Sequence, residues 1–143
     1  MKNNYLFVYG SLMEGFFNYK YVKDKIICRK YAKTMGKLFH QADKGYPAMI
    51  DGDDFVYGEL LKLDDWDDVI KIVDRAENYF GKGNPENEYN RILVNVETLD
   101  DKKNYKAFAY KYNLKDSKEF FEKNIYIKSG SWREFMENQR KNG

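Results

Sequence analysis

Tyr5-Leu6-Phe7-Val8-Tyr9-Gly10-Ser11-Leu12 opens the readable part of the chain with an unbroken apolar and aromatic run that stops at Gly-Ser. Such a run is the pattern of a buried strand, and the Gly-Ser pair that ends it marks a tight turn. At a turn of this kind glycine tolerates a positive φ, and consecutive backbone N–H groups can converge on an anion or a carbonyl. Tyr9, Gly10, Ser11 and Leu12 are therefore a candidate carboxylate cradle, although Gly-Ser after a strand is more commonly a turn and nothing else.

Downstream, residues 16–31 fit either a short helix or packed loop. Ala32 to Phe39 reads as a strand, since Gly36 would weaken a helix interior. Gly45-Tyr46-Pro47-Ala48 breaks the chain. Phe55 to Leu63 resumes in extended form and ends at Asp64-Asp65, a pair suited to cap a helix N-terminus. The predicted helix, Asp65 to Asn78, places Trp66, Val69, Ile70 and Val73 at the spacing of a core-facing stripe. At ~100° per residue, Glu77 projects within roughly 20° of Trp66, so the stripe carries a carboxylate at its last turn.

A carboxylate on an apolar stripe needs a reason, because burying an ionised group without a partner is costly. One reason is a salt bridge, with Arg91 or Arg75 as the available cations. The other is catalysis: desolvation and the negative end of the helix dipole both raise a carboxyl pKa, which suits a general base near neutral pH. Periodicity alone leaves both readings open.

Beyond the helix, residues 81–88 are rich in Gly, Asn and Pro and read as an exposed loop, a candidate lid. Tyr89 to Thr98 and Tyr105 to Tyr112 alternate around a polar connection and predict a β-hairpin. Ser131-Trp132-Arg133-Glu134 has the form of a capping box and predicts a final polar helix.

The 143 residues suit one domain spanning 1–143, and an aromatic fraction of 17% favours strands. Twenty-five basic and 23 acidic residues nearly cancel and are interspersed, which argues against nucleic acid and for a small-molecule partner. Cys28 is the only cysteine, so no intramolecular disulfide forms and a cytoplasmic location is expected. The N-terminal apolar run is read as a strand and not a signal peptide, and no stretch reaches the roughly 18 apolar residues of a membrane span, so no membrane partner is expected. His40 is the only histidine and reads as a surface or loop residue, which excludes a histidine metal site and gives no Ser-His-Asp arrangement with a nucleophile elbow. No Gly-rich nucleotide fingerprint is present.

Taken in order, Phe7-Val8-Tyr9-Gly10-Ser11-Leu12, Gly45-Tyr46-Pro47-Ala48, Val56-Tyr57-Gly58-Glu59-Leu60, Asp74-Arg75-Ala76-Glu77-Asn78-Tyr79, Tyr89-Asn90-Arg91, Ala107 to Tyr112 and Ser129-Gly130-Ser131-Trp132-Arg133 resemble the γ-glutamylcyclotransferase-like family, near its γ-glutamylamine branch. Each motif is short; their order across residues 5–133 carries the likeness. Ser131 stands where the family has Asp, and Phe108 where Trp is common.

The resemblance implies an α+β fold, a small mixed β-barrel with flanking helices around one cavity. It implies Glu77 as the catalytic residue, with Tyr9, Gly10, Ser11, Leu12 and Tyr110 binding substrate. The implied reaction is release of 5-oxoproline and an amine from a γ-glutamyl amide by intramolecular cyclisation, with no metal or organic cofactor, in a monomer or weak homodimer. The alternative is a non-catalytic small-molecule-binding or interaction module on the same fold.

Overall fold

The computed structural model describes residues 3–142. Its strands are β1 (Tyr5–Val8), β2 (Ile26–Gln41), β3 (Tyr46–Leu63), β4 (Tyr89–Thr98), β5 (Asn104–Tyr112) and β6 (Ile125–Tyr126). Its helices are α1 (Trp66–Ala76), α2 (Ser117–Lys123) and α3 (Trp132–Asn142), and two 3₁₀ turns, Tyr19–Tyr21 and Lys23–Lys25, lie in the stretch whose sequence fits helix or loop. Neighbouring strands run β3-β1-β5-β4-β2, and β2 pairs back with β3, so five strands close into a barrel with β6 attached to β2. The β1–β5 pair is parallel and the other pairs are antiparallel, making the barrel mixed as expected.

Two long strands make closure possible. β2 and β3 form one extended hairpin from Ile26↔Leu63 to Gln41↔Tyr46, with register shifts at Ile26/Cys28 and Met35/Lys37. Such irregularities bend a strand and raise its twist, which lets a single pair serve two sides of a barrel. Both strands are longer than the sequence pattern indicates: β2 begins at Ile26, and the break at Gly45 is the turn between the two, with Tyr46, Pro47 and Ala48 already inside β3. Gly58 belongs where it is because a Cβ there would lie 2.1 Å from the Val8 carbonyl oxygen on β1.

β1 is buried along Leu6, Phe7 and Val8, consistent with its unbroken apolar run. α1 buries Trp66, Val69, Ile70 and Val73, the stripe read from the sequence, each burial being worth about 1.5–3 kcal/mol. The Trp66 ring sits 5.4 Å from that of Phe108, and the Tyr110 hydroxyl donates to Asp74 Oδ1 at 2.6 Å, so α1 runs along β5 toward its C-terminal end.

Two local expectations are corrected. Asp65 precedes α1 in a left-handed conformation (φ 50°) and makes no side-chain cap; its carboxylate instead pairs with Lys25 at 2.5 Å. His40 lies within β2 and is half-buried, its Nδ1 accepting a 3.1 Å hydrogen bond from Trp132 Nε1, and burial lowers its pKa. α2 and β6 have no counterpart in the sequence reading. The final helix does open at the capping Ser: Ser131 Oγ accepts from the Glu134 N–H at 3.2 Å. No helix among the described residues is long and apolar enough to cross a membrane.

Candidate active site

The site lies where β1 ends. The parallel register sets Leu6 beside Phe108, which carries Tyr110 to the level of Val8, next to the chain as it leaves the barrel at Tyr9. The Tyr9 hydroxyl donates to the Tyr110 carbonyl at 2.5 Å and ties the exit to β5. Burial of the Tyr9 hydroxyl, then the charge of Glu77, raises its pKa well above the usual phenol range.

The following turn is compact. Met13 N–H donates to the Gly10 carbonyl at 3.0 Å, and Asn18 donates through its backbone to the Ser11 carbonyl (3.0 Å) and through Nδ2 to Ser11 Oγ (2.9 Å). Among the described residues the backbone N–H groups of Gly10, Ser11 and Leu12 donate to no protein acceptor, which leaves three donors for a ligand. Gly10 is not in the left-handed region expected of it. Its requirement is steric: a Cβ would meet Pro47 Cγ at 2.8 Å and Cδ at 3.0 Å.

Glu77 follows the last residue of α1 for a defined reason. Asn78 takes φ 53°, its N–H reaches the Arg75 carbonyl at 3.2 Å, and Tyr79 N–H reaches the Asp74 carbonyl at 2.9 Å. This is a Schellman ending with Asn in the left-handed position that glycine more often fills. Glu77 is thereby fixed at the C-cap, its N–H held by the Val73 carbonyl at 2.9 Å, and its carboxyl meets the negative end of the helix.

Glu77, Tyr9, Gly10, Ser11, Leu12 and Tyr110 line one small cavity, of about 30 Å³, together with Val8, Tyr46, Pro47 and Tyr89. That volume holds little more than a single water. Glu77 as a residue is half-buried, yet its carboxyl is shielded enough that burial, then the charges of Glu88 and Asp74, push its pKa up to about 8. Among the described residues no cation pairs with it. Arg91, one of the two cations considered as its partner, pairs with Asp74 at 3.4 Å.

Tyr46, Pro47, Tyr89, Glu88 and Asp74 were not singled out as site residues by the sequence. Tyr89 hydroxyl donates to the Pro47 carbonyl at 2.6 Å and accepts from Gln41 Nε2 at 3.0 Å, forming a rigid wall. Glu88 is held by Tyr46 Oη (2.6 Å), Lys44 Nζ (2.9 Å) and Asn78 Nδ2 (3.0 Å); these donors outweigh its burial and keep its pKa below the usual value, so it remains a negative charge near Glu77. The available signal was positional, since Tyr46-Pro47 and Tyr89 fall within motifs already quoted. Of the two departures from the family pattern, Phe108 packs on Trp66 and Ser131 caps α3, and neither lines the cavity.

The arrangement sets a carboxyl with a raised pKa in one cavity with a turn whose backbone N–H groups have no protein acceptor among the described residues. Comparison with known proteins bears on the family and the fold. The chain is 32% identical over 111 residues, 78% of its length and 68% of the relative's, to the γ-L-glutamyl-butirosin B γ-glutamyl cyclotransferase of Niallia circulans. In structure it resembles YkqA from Bacillus subtilis, with TM-score 0.70, 26% identity and 98% of this chain covered, although it spans only 43% of that protein's length. An AIG2-like protein from Mus musculus shares the fold, with TM-score 0.69, 19% identity and coverage of 90% and 87% of the two chains. The family described as gamma-glutamyl cyclotransferase, AIG2-like, matches residues 6–134, and the chain belongs to that family.

Proposed function

We propose that this protein releases 5-oxoproline and a free amine from a γ-glutamyl amide, with Glu77 as the general acid and base and the Tyr9–Leu12 turn as the substrate cradle. The observation that carries this reading is one carboxyl, unpaired among the described residues and with a pKa near 8, in the same cavity as three free backbone donors. The Niallia circulans relative, named as a cyclotransferase of a γ-glutamyl compound, supports the substrate class.

In the proposed reaction the α-ammonium of the substrate must first become neutral. The Glu77 carboxylate takes one of its protons, and the freed lone pair attacks the γ-carbonyl carbon, forming the ring C–N bond. A second proton leaves that nitrogen as the ring closes, and the bond to the departing nitrogen breaks as Glu77 returns a proton to it. Two protons in all pass from the α-nitrogen to the departing amine, which balances the reaction with one shuttling carboxyl. The turn donors hold the extended glutamyl chain folded, turning attack into an intramolecular event of high effective concentration.

Incubating the purified protein with a panel of γ-glutamyl amides tests this reading. Equimolar 5-oxoproline and free amine from at least one member is the expected result. Tight binding of the same compounds with no product would favour the binding-module reading.

A further inference from the structure

Glu59, in the middle of β3, is only 1% exposed, a more deeply buried residue than Glu77. It shares strand parity with Leu61 and Leu63, so alternation places it among apolar neighbours. Two guanidinium groups meet it: Arg133 Nη2 lies 3.2 Å from Oε2 and Arg29 Nε 3.3 Å from Oε1. Both arginines, and Glu59 itself, also grip one short segment of the loop after the cradle. The Glu14 N–H donates to Glu59 Oε1 at 3.5 Å, Arg133 Nη2 donates to the Glu14 carbonyl at 2.7 Å, and Arg29 Nη1 pairs with the Glu14 carboxylate at 3.2 Å. Arg133 lies 5.0 Å over the Phe16 ring, and Arg29 stacks 5.5 Å over Tyr19 and donates to its hydroxyl.

The clamp reaches the cavity through the backbone. Asn18, inside the gripped segment, holds both the carbonyl and the hydroxyl of Ser11. The hollow beside Glu59 is lined by Met13, Tyr57, Ser131 and Arg133, and shares no lining residue with the cavity of Glu77. Glu59 therefore does not touch a ligand held in that cavity. We infer that Glu59 is a positioning residue, which fixes residues 14–19 through Arg133 and Arg29 and so holds the N–H groups of Gly10 to Leu12 in register with a γ-glutamyl substrate.

This inference rests on the cyclotransferase reading for its kinetic consequence and stands on geometry for its effect on the loop. A bare structural ion pair would lower stability without moving substrate affinity. A positioning clamp moves both loop order and KM.

The test compares wild type, Glu59→Gln and Arg133→Met by steady-state kinetics on a γ-glutamyl amide and by hydrogen exchange over residues 10–19. Arg133→Met leaves Glu59 paired with Arg29 and serves if Glu59→Gln does not fold. The expected result is a KM raised on the order of 10-fold, kcat lowered by about 3-fold or less, and faster exchange confined to the loop. The acid limb of the pH profile stays near that of wild type, because Glu77 is untouched. Unchanged KM with unchanged loop exchange overturns the inference. If wild type itself turns over no γ-glutamyl amide, the cyclotransferase reading fails, and the exchange data alone still decide whether Glu59 fixes the loop: unchanged exchange overturns that as well.

Discussion

Arg91 places its guanidinium 3.4 Å from the carboxylate of Asp74, one helical turn before Glu77. The choice decides the chemistry of the site. Had Arg91 met Glu77, the carboxylate would be stabilised in its charged form and held at a low pKa. Paired with Asp74 it leaves Glu77 with no cation among the described residues, and burial of the carboxyl, followed by the charges of Glu88 and Asp74, raises its pKa to about 8.

The first expectation concerns those two charges. Glu88→Gln and Asp74→Asn each remove a negative neighbour, so each lowers the pKa of Glu77 and moves the acid limb of kcat/KM to lower pH, by roughly half a unit to a unit. Glu88→Gln moves it further, since Glu88 is the larger of the two electrostatic causes. Profiles of kcat/KM against pH for the three proteins check the order.

Stability against pH gives a second. Glu77 binds its proton more tightly folded than unfolded, so its contribution is fully present below its ordinary value of 4.5 and is lost as pH rises through about 8. At ~1.4 kcal/mol per unit the whole shift corresponds to on the order of 4–5 kcal/mol. Glu77→Gln, which cannot ionise, is expected to melt near wild type at pH 5 and clearly above it at pH 9. Thermal melts at the two pH values measure the crossing.

Gly10 supplies a third. Its Cβ would press into the Pro47 ring at 2.8 Å, so Gly10→Ala must displace either the turn or the proline. The expected cost is about 1–3 kcal/mol in stability, as for other overpacked sites, together with a raised KM. Urea unfolding and initial-rate kinetics report the two effects separately.

Much of this was legible in the sequence because it is local. The unbroken run of β1, the 3.6-residue stripe of α1 and the alternation of β4 and β5 each write their burial directly into the order of residues. Glu77 stood out for the same reason, as a carboxylate out of place on an apolar stripe. What stayed hidden depends on contacts distant in sequence. Tyr46, Pro47 and Tyr89 reach the cavity only because β2 and β3 close the barrel, and no periodicity encodes that closure. Arg91 and Arg75 were equal candidates as partners for Glu77, and a difference of one helical turn separates Asp74 from Glu77. α2 has a single buried residue, Phe120, in a polar sequence, and so leaves no stripe to read. At position 10 the sequence suggests a glycine needed for a positive φ, whereas the structure needs it for close packing against Pro47.

The most direct measurement is the rate of 5-oxoproline release by Glu77→Gln beside wild type, with melting and circular dichroism showing both folded. Loss of the proton shuttle is expected to lower kcat by about 10²- to 10⁴-fold with the fold intact. Turnover by the folded variant equal to that of wild type would contradict the assignment of Glu77 as the acid and base.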